Sequence, residues 1–362
     1  MKLKSIEIIQ SGARISSVDI FRAFAILAVV CFHFNGILPY GYLGVDLFLV
    51  ISGLLVGSIL IRKFRVNEKI NFWQFILQRG FKIWPSYYFF LLAGTLLANV
   101  FFSDDRPEDI IRGEGEILRF IFFYKNYEGA PIHWPFDHIW SLCVEEHFYI
   151  LLPILFIIIK GLFGNNRHVL ILSVAGLIVT GITFKIVSFY FTPGVDTYAT
   201  THNRIDALGW GVLLGILVTR YEEYLKKMKL LFLLFFSGVL LFAASIIVMV
   251  QSNSYFFEKA IFHSLSPLCF FLMLLGLYYH DFSKWKPFRF IAYYSYNWYL
   301  WHPLFVWIIS QYFGIGGLGL LAYAVISFLV AMLFTILVEE RFLNLRGPVL
   351  SRIFRAKVQT AA

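Results

Sequence analysis

The sequence predicts an all-α, polytopic integral membrane protein with about ten transmembrane helices and both termini in the cytoplasm. Three observations lead to this prediction. The composition is 59% hydrophobic and only 15% charged, and the mean hydropathy is +0.73. Several apolar runs reach about 20 residues, the length a helix needs to cross roughly 30 Å of hydrocarbon. These runs are continuous and lack the two-residue alternation of barrel strands, so helices are the expected spanning elements.

The apolar runs define ten predicted spans, and the basic residues between them predict the orientation. The spans are residues 18–37, 43–61, 83–102, 139–159, 169–190, 205–219, 230–250, 260–279, 290–311 and 317–337. With the N-terminus inside, about 23 Lys and Arg residues fall in cytoplasmic segments. The opposite side holds Arg106, Arg112, Arg119, Lys125 and Lys259. The net charge of +9 then reflects topology and anionic lipid, and nucleic-acid binding is not expected.

One membrane domain is expected for the chain, with no appended soluble domain and no disulfide framework. Lys2 and Lys4 precede the first apolar run as in a signal peptide, but the run is long and Arg22 interrupts its start, so a retained span is expected. Residues 1–342 are predicted to form one membrane domain, followed by a basic cytoplasmic tail at 343–362. Three cysteines within or beside apolar runs indicate small buried hydrophobes rather than disulfides: Cys31, Cys143 and Cys269.

The longest connection, residues 103–138, begins with acidic residues and ends with aromatic ones. Its acidic residues are Asp104, Asp105, Glu108, Asp109, Glu114 and Glu116. Residues 117–124 are expected to lie along the outer membrane interface. Aromatic rings stack on the apolar faces of sugars, but an interfacial aromatic belt has the same composition, so both interpretations stay open. The aromatic residues concerned are Tyr124, Tyr127, Trp134 and Trp140.

Arg22 and His33 are charged or titratable groups within the first predicted span. Such groups cost at least about 2.5 kcal/mol each at mid-depth, which makes each a functional hypothesis. Eleven residues are close to three helical turns, so both side chains share one face with about 16 Å of rise between them. A snorkelling arginine and a structural imidazole are the alternative explanations. Their position on one stripe favours a functional pair.

Further polar residues lie at the starts of other spans. Asp46 begins the second span, where a carboxylate can also cap the helix and complement its dipole. Glu145 enters the membrane from the same side as His33, with Glu146 pointing about 100° away around the helix. A polar cluster, residues 202–206, lies where the chain re-enters the membrane at the sixth span. Asn297 and His302 lie deeper in the ninth span than an aromatic belt explains.

These separated motifs resemble the membrane acyltransferase-3 family, which includes O-antigen and exopolysaccharide O-acetyltransferases. The resemblance covers about residues 16–342. It rests on Ser17-Val18-Asp19 with Arg22 and His33, on Gly44-Val45-Asp46-Leu47-Phe48 with Ser52-Gly53, on Arg79-Gly80-Phe81-Lys82-Ile83-Trp84-Pro85, on Trp140-Ser141-Leu142 with Val144-Glu145-Glu146 and Phe148-Tyr149, and on Ser295, Tyr299-Leu300 and His302. The expected type is the one without a fused extracytoplasmic domain.

Two positions depart from the family pattern. Lys82 stands where the family usually has Arg, which replaces a bidentate fork by a point charge. His147 stands where Gln is usual, which adds a titratable group near the expected site.

The resemblance implies transfer of an acyl group, expected to be acetyl, from cytoplasmic acetyl-CoA to a hydroxyl outside. Arg79, Lys82 and Arg22 are the expected ligands of the CoA phosphates. His33 is the expected general base, with Glu145 orienting its imidazole and Asp46 as the reserve; an acyl-histidine route stays open. Candidates for oxyanion or acceptor contacts are Tyr299, His302, Asn297, Trp140, Ser141, Arg204 and Asp206. No metal site is expected.

A transporter or flippase of a lipid-linked sugar or small solute is the alternative function. Transporters often contain two similar halves, whereas the acidic and histidine motifs here cluster in the first 150 residues. The expected partners are therefore acyl-CoA, a cell-surface carbohydrate or glycolipid and the lipid bilayer, in a bacterial inner membrane.

Overall fold

The computed structural model describes residues 14–102, 114–127, 135–192, 195 and 197–359, and the regular secondary structure of these residues is helical, with no strand among them. The fold class predicted from the sequence is thereby confirmed. Several residues singled out in the sequence lie outside the described part: Lys2, Lys4, Asp104, Asp105, Arg106, Glu108, Asp109, Arg112 and Trp134.

Thirteen α-helices are present in the described residues. They are α1 Ser16–His33, α2 Gly44–Arg65, α3 Phe72–Phe102, α4 Glu114–Ile121, α5 Trp140–Phe163, α6 Arg167–Phe191, α7 Thr201–Arg220, α8 Glu222–Lys227, α9 Leu231–Ser252, α10 His263–Leu277, α11 Lys286–Phe313, α12 Gly317–Phe334 and α13 Glu340–Gln359. Short 3₁₀ turns at Gly41–Leu43 and Asp137–Ile139 lead into α2 and α5. A π-helical turn at Thr335–Glu339 joins α12 to α13.

All ten predicted spans fall in or overlap these helices, although the ends differ. Helix α1 ends at His33 because the chain turns at Asn35 and Gly36, whose φ angles are 56° and 66°. Helix α3 begins at Phe72, eleven residues before the predicted span, and carries Pro85 inside it. Among the described residues, seven helices are long and apolar enough to cross a membrane. The count of ten spans and the placement of the termini stay predictions.

Glycines allow α2 and α7 to pack with their backbones almost in contact. A Cβ at Gly53 would meet the Leu208 carbonyl oxygen, and one at Gly211 would meet the Val50 carbonyl oxygen. Small residues at helix interfaces permit such close packing in membranes, where van der Waals contact is a main driving force. The α2–α7 pair therefore forms the rigid centre against which α1, α5 and α10 pack.

The directions of the helices define two ends of the bundle. Helix α1 runs from the Arg22 end to the His33 end, and α2 returns antiparallel to it. Helix α11 runs alongside α1 in the same direction, since Arg289 contacts Asp19 near its start and His302 contacts His33 near its end. This pairing places Ser295 of α11 beside Arg22 and His302 beside His33.

Candidate active site

A cavity of about 100 Å³ lies in the centre of the bundle between α1, α2, α3, α5 and α11. Its polar lining consists of Arg22, Ser52, Arg79, Lys82, Ser141, Glu145, Tyr149, Ser295, Tyr296 and Tyr299. Apolar side chains such as Phe48, Leu55 and Leu142 complete the wall. Six of the residues predicted for the site therefore meet around one cavity: Arg22, Arg79, Lys82, Ser141, Glu145 and Tyr299.

A second cavity of about 680 Å³ adjoins the first at the Arg22 end of the bundle. Six cationic side chains line it: Arg14, Arg22, Arg62, Arg79, Lys82 and Arg346. The carboxylates of Asp19 and Glu339 offset part of this charge. Arg22, Arg79, Lys82 and Leu55 line both cavities, so the two spaces meet at these residues. The arrangement suits a polyanion with a narrow extension.

Arg22 and Arg79 retain unused hydrogen-bond donors at this junction. Arg22 Nη2 donates to Ser295 Oγ at 3.0 Å, and Arg79 Nη2 donates to the Tyr149 hydroxyl at 3.4 Å. The Arg79 guanidinium also lies 4.9 Å from the centroid of the Tyr149 ring. The Nε atom of each arginine is buried without a hydrogen-bond partner among the described residues. Both side chains can therefore bind an anionic or carbonyl acceptor without losing their present contacts.

Lys82 forms an ion pair with Glu339, which only the structure brings next to it. Glu339 is 3% exposed and also accepts a hydrogen bond of 2.8 Å from Asn297 Nδ2. The same amide nitrogen donates to Thr335 Oγ1 at 3.0 Å. Both amide hydrogens of Asn297 are thus donated to Thr335 and Glu339, at the same depth in the bundle as Lys82. The prediction of Asn297 as an oxyanion donor is not supported by this arrangement.

Glu145 contacts Tyr149 rather than His33. The Tyr149 hydroxyl donates to the Glu145 carboxylate, one turn earlier on α5, and lies 2.5 Å from Ser52 Oγ. Together with Arg79 these groups form a polar wall of the central cavity. The expected contact between Glu145 and the His33 imidazole is absent from the hydrogen bonds and ion pairs of the described residues.

His33 contacts a second histidine at the other end of α1. Its Nδ1 atom lies 2.9 Å from the Val29 carbonyl oxygen and 3.3 Å from His302 Nε2. The two rings are nearly perpendicular, with centroids 4.8 Å apart. His33 is partly exposed, whereas His302 is fully buried. His33 lines neither of the two cavities; the Tyr299 ring, 5.8 Å from that of His302, links the central cavity to the histidine pair.

Tyr299 and Ser141 form a hydrogen-bonded unit at the His33 side of the central cavity. The Tyr299 hydroxyl donates to the His138 carbonyl oxygen at 2.5 Å and accepts from Ser141 Oγ at 2.8 Å. Its only hydrogen is thus in use, so Tyr299 would need to exchange this partner to stabilise an oxyanion. The His138 ring is buried 5.5 Å from the His302 ring.

Asp46, Arg204 and Asp206 belong to a separate buried network. Arg204 forms an ion pair with Asp46, and Asp206 lies 2.5 Å from Lys185 Nζ. Asp46 also accepts a hydrogen bond from Ser266. All four charged side chains are at most 4% exposed, and no contact of the described residues joins them to His33. Asp46 is therefore placed to stabilise α2 against α7, in contrast to its predicted reserve role beside the imidazole.

Trp140 and His147 also face away from the central cavity. The Trp140 ring packs against Tyr198 at 5.2 Å, with the Arg204 guanidinium 5.8 Å away. His147 Nδ1 lies 2.6 Å from Thr201 Oγ1 at the start of α7. Neither residue lines the cavity. Among the described residues, no group of three His, Cys, Asp or Glu side chains has an arrangement that could hold a metal ion.

Comparison with known proteins gives the family. A family model described as an acyltransferase domain matches residues 15–340. The O-acetyltransferase OatA of Staphylococcus aureus (strain NCTC 8325 / PS 47) is 26% identical over 372 residues, which cover 98% of this chain and 60% of that protein. The peptidoglycan O-acetyltransferase OatA of Listeria monocytogenes is 25% identical over 314 residues, covering 80% of this chain and 49% of that protein.

The chain thus spans about 60% or less of the length of these relatives. No solved structure matches it. The family match nevertheless covers nearly all of the described helices and every residue around the two cavities except Arg14, Leu343 and Arg346. The chain is an all-helical integral membrane protein that belongs to the membrane acyltransferase-3 family.

Proposed function

We propose that this protein is an O-acetyltransferase that moves an acetyl group from acetyl-CoA to a hydroxyl of a cell-surface carbohydrate. The observation that carries the proposal is the junction of the two cavities. A cation-lined space of about 680 Å³ meets a narrower one of about 100 Å³ at Arg22, Arg79 and Lys82. A donor with a charged nucleotide head and a thin acyl-bearing arm has this shape.

The donor phosphates would bind in the larger cavity. Charge-assisted hydrogen bonds from guanidinium groups to phosphate are short and strong, and Arg14, Arg62 and Arg346 surround the entrance. The pantetheine arm would pass Arg22 and Arg79, whose Nε donors suit its amide carbonyls. In this proposal Glu145 and Tyr149 form the wall of the arm's path, which replaces the role in imidazole orientation first assigned to Glu145.

His33 would act as the general base on the acceptor hydroxyl. Nε2 takes the hydroxyl proton as the oxygen attacks the thioester carbonyl carbon, and the carbon–sulfur bond then breaks. The proton passes from the imidazolium to the leaving sulfur, giving CoA thiol and an acetyl ester. The thioester has to pass the Tyr299 ring to reach His33, so transfer requires the Tyr299–Ser141–His138 unit to open.

The donor would enter from the cytoplasm and the acceptor from the opposite side. The prediction of both termini in the cytoplasm puts the cationic cavity on the inner face, where acetyl-CoA is available. His33 and the partly exposed end of α1 then face outward, in a bacterial inner membrane. Because the Listeria relative is a peptidoglycan O-acetyltransferase, peptidoglycan is the first acceptor to test.

The test is to follow label from acetyl-CoA into alkali-labile esters of surface carbohydrate, using membrane vesicles that contain the protein. His33→Ala should lower incorporation by at least about 100-fold, the usual contribution of a general base. His168→Ala, a change at an exposed histidine, is the matched control and should leave the rate unaltered.

Wild-type incorporation by correctly inserted His33→Ala protein would refute the base assignment. The alternative transporter function predicts carbohydrate movement without any ester product. Labelled carbohydrate that appears across the membrane unmodified would therefore favour transport.

A further inference from the structure

We propose that His302 is a positioning residue that holds the His33 ring with its proton on Nδ1, so that Nε2 is the nitrogen available as base. The inference rests on the proposed function of His33 and deepens it. It assigns to a neutral histidine and a backbone carbonyl the task that a carboxylate performs in many catalytic triads.

The protonation of His302 follows from its two neighbours in α11. His302 Nδ1 lies 2.8 Å from the Tyr299 carbonyl oxygen and 3.0 Å from the Trp298 carbonyl oxygen. Carbonyl oxygens only accept hydrogen bonds, so Nδ1 must carry a hydrogen. The ring is fully buried, and no carboxylate of the described residues hydrogen bonds to it. Neutral His302 therefore presents an unprotonated Nε2.

Pro303 explains why a carbonyl is available to fix this tautomer. Proline lacks the amide hydrogen that would otherwise bond to the carbonyl four residues earlier, which here is the Tyr299 carbonyl. His302 Nδ1 donates to that same oxygen. Pro303 thus leaves the Tyr299 carbonyl oxygen without a backbone donor, and the imidazole of His302 donates to that oxygen instead. The orientation of the ring is set by the helix backbone, whatever is bound nearby.

The helix that carries His302 is itself anchored on the side facing α12. Trp298 Nε1 donates to Ser327 Oγ at 2.9 Å, and the Trp301 ring stacks on Phe334 with centroids 3.9 Å apart. Trp298 and Trp301 lie four residues and one residue before His302 in the sequence. The imidazole therefore stands on a rigid element, which a positioning residue requires.

The tautomer of His33 follows from that of His302. His33 Nδ1 faces two acceptors, the Val29 carbonyl oxygen at 2.9 Å and His302 Nε2 at 3.3 Å. The hydrogen must then sit on Nδ1, because a bare Nδ1 would face two lone pairs. Nε2 of neutral His33 is left with its lone pair. When Nε2 gains the acceptor proton, the same two groups continue to hold the Nδ1 hydrogen of the imidazolium.

The test combines nitrogen NMR with kinetics on ¹⁵N-histidine-labelled protein in lipid vesicles. The His33 signals are assigned by their loss in His33→Ala, and in the wild type they should report a protonated Nδ1 and a bare Nε2. His302→Leu should lower kcat by about 10- to 100-fold with the KM for acetyl-CoA within twofold, and should reduce the Nδ1-protonated fraction. His302→Gln, which keeps an acceptor near the Nε2 position, should recover most of the rate.

A buried histidine elsewhere provides the matched control. His263 is 3% exposed on α10, and its side chain contacts the Tyr198 ring rather than the histidine pair. His263→Leu should leave kcat and the His33 nitrogen signals unchanged, so a general effect of removing a buried imidazole is separated from a specific one.

Two results would overturn the inference: a wild-type His33 protonated on Nε2, or a His302→Leu protein with the wild-type kcat. A fully active His33→Ala protein would instead remove the general-base role of His33 on which the inference rests, and a wild-type protein that forms no ester would remove the proposed function itself. An inactive His33→Ala protein together with a fully active His302→Leu protein would remove only the role of His302. If His302→Leu fails to fold, His302→Phe keeps a ring but removes the acceptor, and it should show the same losses of kcat and of the Nδ1-protonated fraction; wild-type values in a folded His302→Phe protein would overturn the inference.

Discussion

Replacing Asp46 by Asn separates a structural role from a catalytic one. Asp46 is fully buried at the start of α2 and forms an ion pair with Arg204, which is 1% exposed. Asn keeps the size and shape of the side chain but removes the charge. The nearest other carboxylate on α7, Asp206, is already bound to Lys185. Asp46→Asn therefore leaves the Arg204 guanidinium buried without a partner of full opposite charge.

The expected loss of stability is large. Removing one partner of a buried ion pair costs about 3–5 kcal/mol, because the remaining charge is desolvated and uncompensated. The Tyr198 ring lies 4.2 Å from the guanidinium carbon of Arg204 and attracts it by about 1–2 kcal/mol. This cation–π attraction is present in the wild type as well, so it does not offset the loss of the ion pair. For a domain of this size the loss corresponds to a fall in Tm of about 4–7 °C.

The assay is thermal unfolding of the protein in detergent or nanodiscs, with activity measured on the folded fraction. Asp46→Leu combined with Arg204→Met should recover most of the Tm, since apolar replacement of a whole buried pair is often neutral. The exposed pair Glu222–Lys226 supplies the control: Glu222→Gln should shift the Tm by less than about 2 °C. An Asp46→Asn protein with the wild-type Tm and no activity would refute the structural assignment and restore Asp46 as a catalytic candidate.

Two further predictions concern the donor cavity and the helix core. Arg79→Ala and Lys82→Ala together should raise the Kd for acetyl-CoA at least about 10-fold, because each removes a charged donor; unchanged binding of labelled acetyl-CoA would contradict the assignment of the cavity. Gly53→Val should prevent α2 and α7 from packing together, since its Cβ would overlap the Leu208 carbonyl oxygen. At Gly161 an added Cβ meets nothing within 4 Å, so Gly161→Val should insert and fold normally. Comparable yields and Tm values for the two variants would argue against that close contact.

Most of the helices could be predicted from the sequence, because in lipid the backbone of each spanning segment must satisfy its own hydrogen bonds. Each run of about 20 apolar residues must satisfy its own backbone, so it forms a helix whatever its neighbours are. Two of the helix ends that differ from the predicted span ends do so because of a local backbone feature. Helix α1 stops at His33 because the backbone turns at Asn35. Helix α3 begins at Phe72, where the Gln74 amide donates a hydrogen bond to the Asn71 side chain just before the helix.

Some site residues were identifiable and others were not. Arg22, Arg79, Lys82, Glu145 and Tyr299 were singled out by their charge or motif, and the structure gathers them around one cavity. Lys185, a lysine inside an apolar run, met the same criterion and was overlooked.

Glu339 was also overlooked, although a carboxylate at the end of the last apolar run was a usable signal. The ion pair between Glu339 and Lys82 is not predictable from the sequence, because the π-helical turn Thr335–Glu339 sets the direction of the Glu339 side chain.

What the sequence alone determined is the set of helices, and the placement of Arg22 and His33 on one face of the first, since both follow from local periodicity. The family resemblance rests on such local motifs. What only the tertiary structure decided is which side chains meet: His302 with His33, Arg204 with Asp46, and Tyr149 with Glu145. Contacts such as His33–His302 join residues 269 positions apart, and they depend on the register in which α11 packs along α1. The sequence pattern within a single helix cannot predict the register in which two helices pack.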